Sequence, residues 1–130
     1  MPSSKPAERL HDIIENCERI ARHTAGMSFD TYVADEKTVD AVERCLQRIS
    51  EAGQKLGSYL DDLYPDAPWK ATRGIGNILR HKYDELTDDL IWSAISTHLP
   101  ALRRACLQEI ERLRSLDNEA GGGGTAGGPA

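Results

Sequence analysis

The stretch DEKTVDAVERCLQRISEAGQKL, Asp35 to Leu56, decides how the chain folds. Val39, Val42, Leu46, Ile49 and Leu56 fall on one stripe when the chain is wound as a helix, with Glu and Arg around them, the pattern of a helix with one buried face. Asp35 stands where its carboxylate can accept the free N–H groups of the first turn, and Gly57 follows the last apolar residue as a stop. Upstream, Leu10, Ile13, Ile14, Cys17, Ile20 and Ala21 predict a helix from about Ala7 to Ala25, ended by Gly26. Ser28 can cap a short segment holding Phe29 and Tyr32.

Downstream, Ser58 to Pro68 is rich in turn residues, with Asp66 as the expected cap and Pro68 in the first turn of a third long helix from Trp69 to about Lys82. After a break at Asp84 and Glu85, Thr87 or Asp88 can cap a helix carrying Leu90, Ile91, Trp92 and Ile95. Pro100 forces a boundary or a kink, because it has no N–H to donate. A last helix repeats apolar residues at Leu99, Leu102, Cys106, Ile110 and Leu113, with Leu116 near its end. These patterns predict an all-α fold: a four- to five-helix antiparallel bundle over residues 7–118, with a flexible N-terminus at 1–6. Residues 119–130, EAGGGGTAGGPA, have nothing to bury and are expected to form a disordered tail.

A chain of 130 residues is one domain, small enough that dimerisation would help to bury its apolar surface. Its net charge of −5 argues against a protein that coats nucleic acid non-specifically. Between Trp69 and Tyr83, however, Lys70, Arg73, Arg80 and Lys82 occur with no acidic residue. Cys17, Cys45 and Cys106 sit among apolar positions and read as core thiols in a reducing compartment. His11, His23, His81 and His98 form no metal-ligand spacing, so neither a metal nor another cofactor is expected. No apolar run is long enough to cross a membrane and MPSSKPAERL is not a signal segment, so a cytoplasmic protein is expected.

Winding Lys70 to Tyr83 at about 100° per residue gathers Lys70, Arg73, Asn77, Arg80 and His81 on one side, and places Ala71, Ile75, Ile78 and Leu79 toward the expected core. Gly74 and Gly76 each disfavour the helix by about 1 kcal/mol relative to Ala, which asks for a packing or access reason. A solvated basic helix face is the plain reading. The functional one is phosphoester cleavage in RNA: histidine moves protons near neutrality and arginine stabilises charge on phosphate. Trp92 reads as core, Tyr64 as a turn or packing residue, His98 as a helix-end histidine and Glu51 as a solvated acid.

The segments TAGMSFDTYVADEKTVDAVERCLQRISEAGQKL, YPDAPWKATRGIGNILRHKY, LIWSAI and HLPALRRAC, in this order and spacing, resemble the HepT-like family of HEPN domains, also called DUF86, over about Ala7 to Leu116. The resemblance implies a dimeric helical bundle and a metal-independent endoribonuclease toxin with an RNxxxHxY motif at its dimer cleft. It also implies a minimal nucleotidyltransferase as antitoxin partner, able to transfer AMP to the motif tyrosine. Carried onto this chain, the motif asparagine is Asn77, the histidine His81 and the tyrosine Tyr83, while the arginine position holds Gly76. Arg73 or Arg80 is then the candidate replacement, with Lys70, Arg73, Arg80 and Lys82 as RNA-binding cations and Tyr83 as the modification site. The alternative is an inactive helical partner of the nucleotidyltransferase, modified or docked at Tyr83.

Overall fold

Asp35 caps the helix it precedes: its Oδ1 accepts the backbone N–H of Thr38 at 3.2 Å, and α3 runs from Glu36 to Leu56. The computed structural model describes residues 5–81 and 85–125. Around α3 it arranges α1 (Pro6–His23), α2 (Phe29–Ala34), α4 (Tyr59–Leu63), α5 (Trp69–Arg80), α6 (Glu85–Ser93), a π-helical turn (Ala94–His98) and α7 (Leu99–Thr125). No strand occurs among the described residues, and the fold is the expected all-α bundle.

The apolar stripes meet as their spacing requires. Leu10, Ile13 and Ile20 of α1 are buried with Val42, Leu46 and Ile49 of α3 and with Leu102, Cys106 and Ile110 of α7, and α1 packs on both α3 and α7. Each large aliphatic side chain removed from water in this way contributes about 1.5–3 kcal/mol. All three cysteines are buried and free, as expected of core thiols; burial pushes the Cys17 thiol up to about 12, so it fills space and stays protonated. Gly57, at the end of α3, has φ 73°, a conformation that other residues adopt only under strain.

Several boundaries differ from the sequence expectation. Asp66 does not cap α5; Pro68 takes that place with no side-chain cap, and α5 ends at Arg80 with His81 as its C-cap. The helix expected to start at Thr87 or Asp88 already begins at Glu85. Ahead of Pro100 the chain widens into the π turn, where the Leu99 N–H reaches back to Ala94 O and the Thr97 hydroxyl donates to Ser93 O at 2.7 Å. This wider turn absorbs the interruption that Pro100 imposes, so α7 continues through it without ending. The helical backbone of α7 extends to Thr125, past the boundary expected at residue 118; residues 126–130 lie outside the described part.

The largest correction concerns the orientation of α5. Ala71 and Ile78 do not face the core but are exposed, Ile78 by 41%, whereas Trp69 and Thr72 are buried. Small residues set this orientation. A Cβ on Gly53 of α3 would lie 3.2 Å from Thr72 Cγ2, and the N–H of Gly76 donates to Ser50 Oγ at 3.2 Å. Helices can come this close only where side chains are short, so the stripe along Thr72 and Gly76 turns toward α3, Ile75 and Leu79 pack partly buried beside it, and Ala71 and Ile78 are left outside.

Candidate active site

Lys70, Arg73, Asn77 and Arg80 leave α5 at places fixed by that orientation, and His81 follows as its C-cap. Arg73 points to α4. Its two terminal nitrogens grip Asp61 at 2.9 and 2.8 Å, and one of them also donates to Gly57 O at 3.1 Å. The paired guanidinium holds the Asp61 carboxyl below the usual carboxylate range. The Arg73 carbonyl is bound too, accepting Ser50 Oγ at 3.1 Å and Gln54 Nε2 at 3.0 Å.

One turn further on the situation reverses. Asn77, Arg80 and His81 are exposed, and no hydrogen bond or ion pair engages their side chains among the described residues. The His81 backbone N–H closes the helix by donating to Asn77 O and Ile78 O, both at 3.2 Å. Long helical side chains lean toward the N-terminus over the residue four positions back. Arg80 accordingly lies across Gly76, its terminal nitrogen 3.6 Å from where a Cβ on Gly76 would be. The last turn of α5 thus offers a guanidinium, an amide and an imidazole to solvent together. Lys70 is exposed at the other end of the helix, and Lys82 and Tyr83 lie outside the described residues.

Beside this polar turn is an apolar strip. Ile78 and Leu90 are exposed by 41% and 57%, and with Ala71, Ile75, Ala94 and His98 they border a cavity of about 140 Å³ between α5 and the α6–α7 segment. Beyond its own helix backbone, nothing described lies within 4 Å of where a Cβ on Gly74 would be.

A model of the family described as ribonuclease HepT-like matches residues 13–109, a span that includes Asn77, Arg80 and His81. The chain belongs to the HepT-like family. It is 34% identical to the Methanocaldococcus jannaschii protein named "Putative RNase MJ0127" over 87% of this chain and 90% of that one. It is 30% identical to the Thermococcus cleftensis protein named "Probable ribonuclease HepT" over 81% of this chain and 92% of that one. No solved structure matches it.

Two acids whose partners surround this candidate site escape the sequence reading. Asp61 looks like an ordinary turn acid until its pairing with Arg73 is seen. Glu109 leaves a clearer signal, an acid on the apolar stripe of α7 between Cys106 and Ile110. It is fully buried, and Tyr59, Tyr64 and Arg112 all donate to it. Burial alone would raise its carboxyl, but these donors hold it below the usual range.

Proposed function

We propose that this chain is a metal-independent endoribonuclease toxin, cutting RNA at a basic cleft formed when two copies bring the last turns of α5 together. The observation that carries this reading is the contrast between the arginines. Arg73 is committed to Asp61, while Arg80 lies across Gly76 with no partner among the described residues, beside exposed Asn77 and His81. Gly76 leaves room for the guanidinium over the place where the family motif carries its arginine.

In the reaction His81 takes the proton from a ribose 2′-hydroxyl, whose oxygen attacks the adjacent phosphorus. The P–O bond to the 5′ oxygen breaks, and that oxygen receives a proton from the second histidine of the pair. Arg80 stabilises the charge growing on the phosphoryl oxygens, and Asn77 orients the phosphate. The products are a 2′,3′-cyclic phosphate and a 5′-hydroxyl. One imidazole per chain is too little for both proton transfers, and a two-fold dimer supplies the second. The exposed strip of Ala71, Ile78 and Leu90 next to the polar turn is suited to burial in such a dimer.

The experiment is cleavage of a defined single-stranded RNA in EDTA by purified protein of confirmed intact mass, beside His81→Ala. Cyclic-phosphate ends that vanish in the variant are expected. Cleavage that needs added metal, or that His81→Ala retains, would overturn the mechanism.

The partner in this reading is a minimal nucleotidyltransferase antitoxin in the same cytoplasm, which silences the toxin by adding AMP to Tyr83, two residues from His81; the added phosphate would offset the local positive charge. Gly76 at the motif arginine position favours one competing reading, an inactive partner of the nucleotidyltransferase. That reading predicts a stable complex and no cleavage by the free, unmodified protein.

A further inference from the structure

Glu109 is the one buried acid among the described residues, the proposed reaction does not use it, and its surroundings show what it holds. Each carboxylate oxygen accepts two bonds: Oε1 from Tyr64 Oη at 2.9 Å and Arg112 Nε at 2.7 Å, and Oε2 from Tyr59 Oη at 3.1 Å and an Arg112 terminal nitrogen at 2.8 Å. A carboxylate can be kept out of water only where its lone pairs are satisfied in this way. Arg112 reaches solvent, but the tyrosines belong to α4. Tyr59 is its first residue and Tyr64 its C-cap, so Glu109 grips the short helix at both ends.

α4 in turn holds α5 at two points. Between the tyrosines, Asp61 clamps the Arg73 guanidinium, and the Tyr64 carbonyl accepts the indole N–H of Trp69, the first residue of α5, at 3.0 Å. α5 has need of such support: it is only Trp69–Arg80, contains two glycines, and its final side chains are bound to nothing described.

We propose that Glu109 is a positioning residue for the α5 face: through Tyr59 and Tyr64 it fixes α4, and α4, by holding Trp69 and Arg73, steadies the first half of the helix that the α3 contact orients and that carries Asn77, Arg80 and His81. The inference rests on the reading of that face as an RNA site, but its first test does not require RNA.

The test uses Glu109→Gln and the double variant Tyr59→Phe/Tyr64→Phe, which keep side-chain shape while removing charge or donors. Amide hydrogen exchange should speed up about tenfold or more in residues 70–80 while α1 and the centre of α3 keep their protection. The NMR signals of the Arg73 guanidinium should shift in the same variants. Exchange that is unchanged in α5, or that rises equally in every helix as it would for a mere core filler, overturns the proposal.

The second measurement is binding of a 2′-O-methyl oligonucleotide in EDTA. Kd should rise about three- to tenfold at undiminished stoichiometry, and Asp61→Asn combined with Glu109→Gln should be no worse than Asp61→Asn alone. Fully additive effects would mean that the two acids act independently, and would also overturn the proposal. Local loosening of α5 in a parent protein that binds no RNA would retain the positioning role while the ribonuclease reading fell.

Discussion

Along α5, the half from Trp69 to Arg73 is tied to its surroundings by side-chain and carbonyl bonds to α3, α4 and the turns flanking α4, whereas Asn77, Arg80 and His81 make no such side-chain bonds among the described residues. In the proposed reaction, one helix thus separates two tasks. A guanidinium already paired to a carboxylate has little to gain from a phosphate, while one left in solvent can bind an incoming anion without first breaking a bond. The first half should therefore respond to substitution in stability and the second in activity.

The sharpest way to break this division is His81→Ala. Loss of a general acid or base lowers rate by about 10²–10⁴, and the exposed imbalance of roles predicts that the melting temperature stays where it was. Initial cleavage rates in EDTA alongside a thermal melt decide it. A variant that melts early would place His81 in the structural half.

The two arginines should then part ways. Arg80→Ala is expected to lower cleavage by about 10², the scale of losing one charge-stabilising donor, with little change in stability. Arg73→Ala removes the Asp61 pair and should reduce folding stability by about 1–2 kcal/mol, with less than about a tenfold change in rate per folded molecule. Urea midpoints and single-turnover rates measure both. The opposite outcome would make Arg73 the phosphate ligand.

Acid should loosen the bound half first. The carboxyls of Asp61 and Glu109 are both lower in the folded chain than their ordinary values. The unfolded chain therefore binds protons at higher pH than the folded one, so their stabilisation is complete above the unfolded values near about 4 and is lost as pH falls through the folded ones. Urea midpoints followed from pH 7 to pH 3 should fall toward acid, and the fall should be shallower in Asp61→Asn and Glu109→Gln. Equal slopes in all three proteins would show that these acids do not report on the clamp.

Much of this architecture is legible in the sequence, because long apolar stripes and a cap such as Asp35 are local signals. The direction of α5 is not, since its contact with α3 runs through Gly53, Thr72 and Gly76, and small residues leave no hydrophobic signature. The apolar residues of α5 consequently suggest only part of its buried face: Ile75 and Leu79 pack against the core as expected, whereas Ala71 and Ile78 do not. Asn77 and His81 can be picked from the motif and Arg80 from its place on the same helical face, but which arginine is committed depends on Asp61, reached only when α4 folds back. Glu109 stands out on its stripe, yet its tyrosine partners lie 45 and 50 residues away, where no periodicity connects them.

The smallest expected effects come from the glycines at the two ends of the α3–α5 contact, and they should have opposite signs. A methyl group on Gly53 would sit 3.2 Å from Thr72 Cγ2, and Thr72 cannot easily turn away because it is buried and its hydroxyl is bonded to Pro68 O at 2.6 Å. The crowding should outweigh the helix propensity gained, so Gly53→Ala is expected to destabilise by about 1 kcal/mol. At Gly76 the nearest atoms to a new methyl are Ser50 Oγ at 3.4 Å and the Arg80 guanidinium at 3.6 Å, ordinary contacts, and its backbone φ is not positive. Gly76→Ala should therefore stabilise by up to about 1 kcal/mol. A methyl also leaves the guanidinium its place, so cleavage should persist, whereas Gly76→Leu would crowd Ser50 of α3 and displace Arg80, and should lower both the melt and the activity per folded molecule. If Gly76→Leu cleaves as well as the parent, Arg80 does not work from its position over residue 76, and the functional half of α5 loses its arginine.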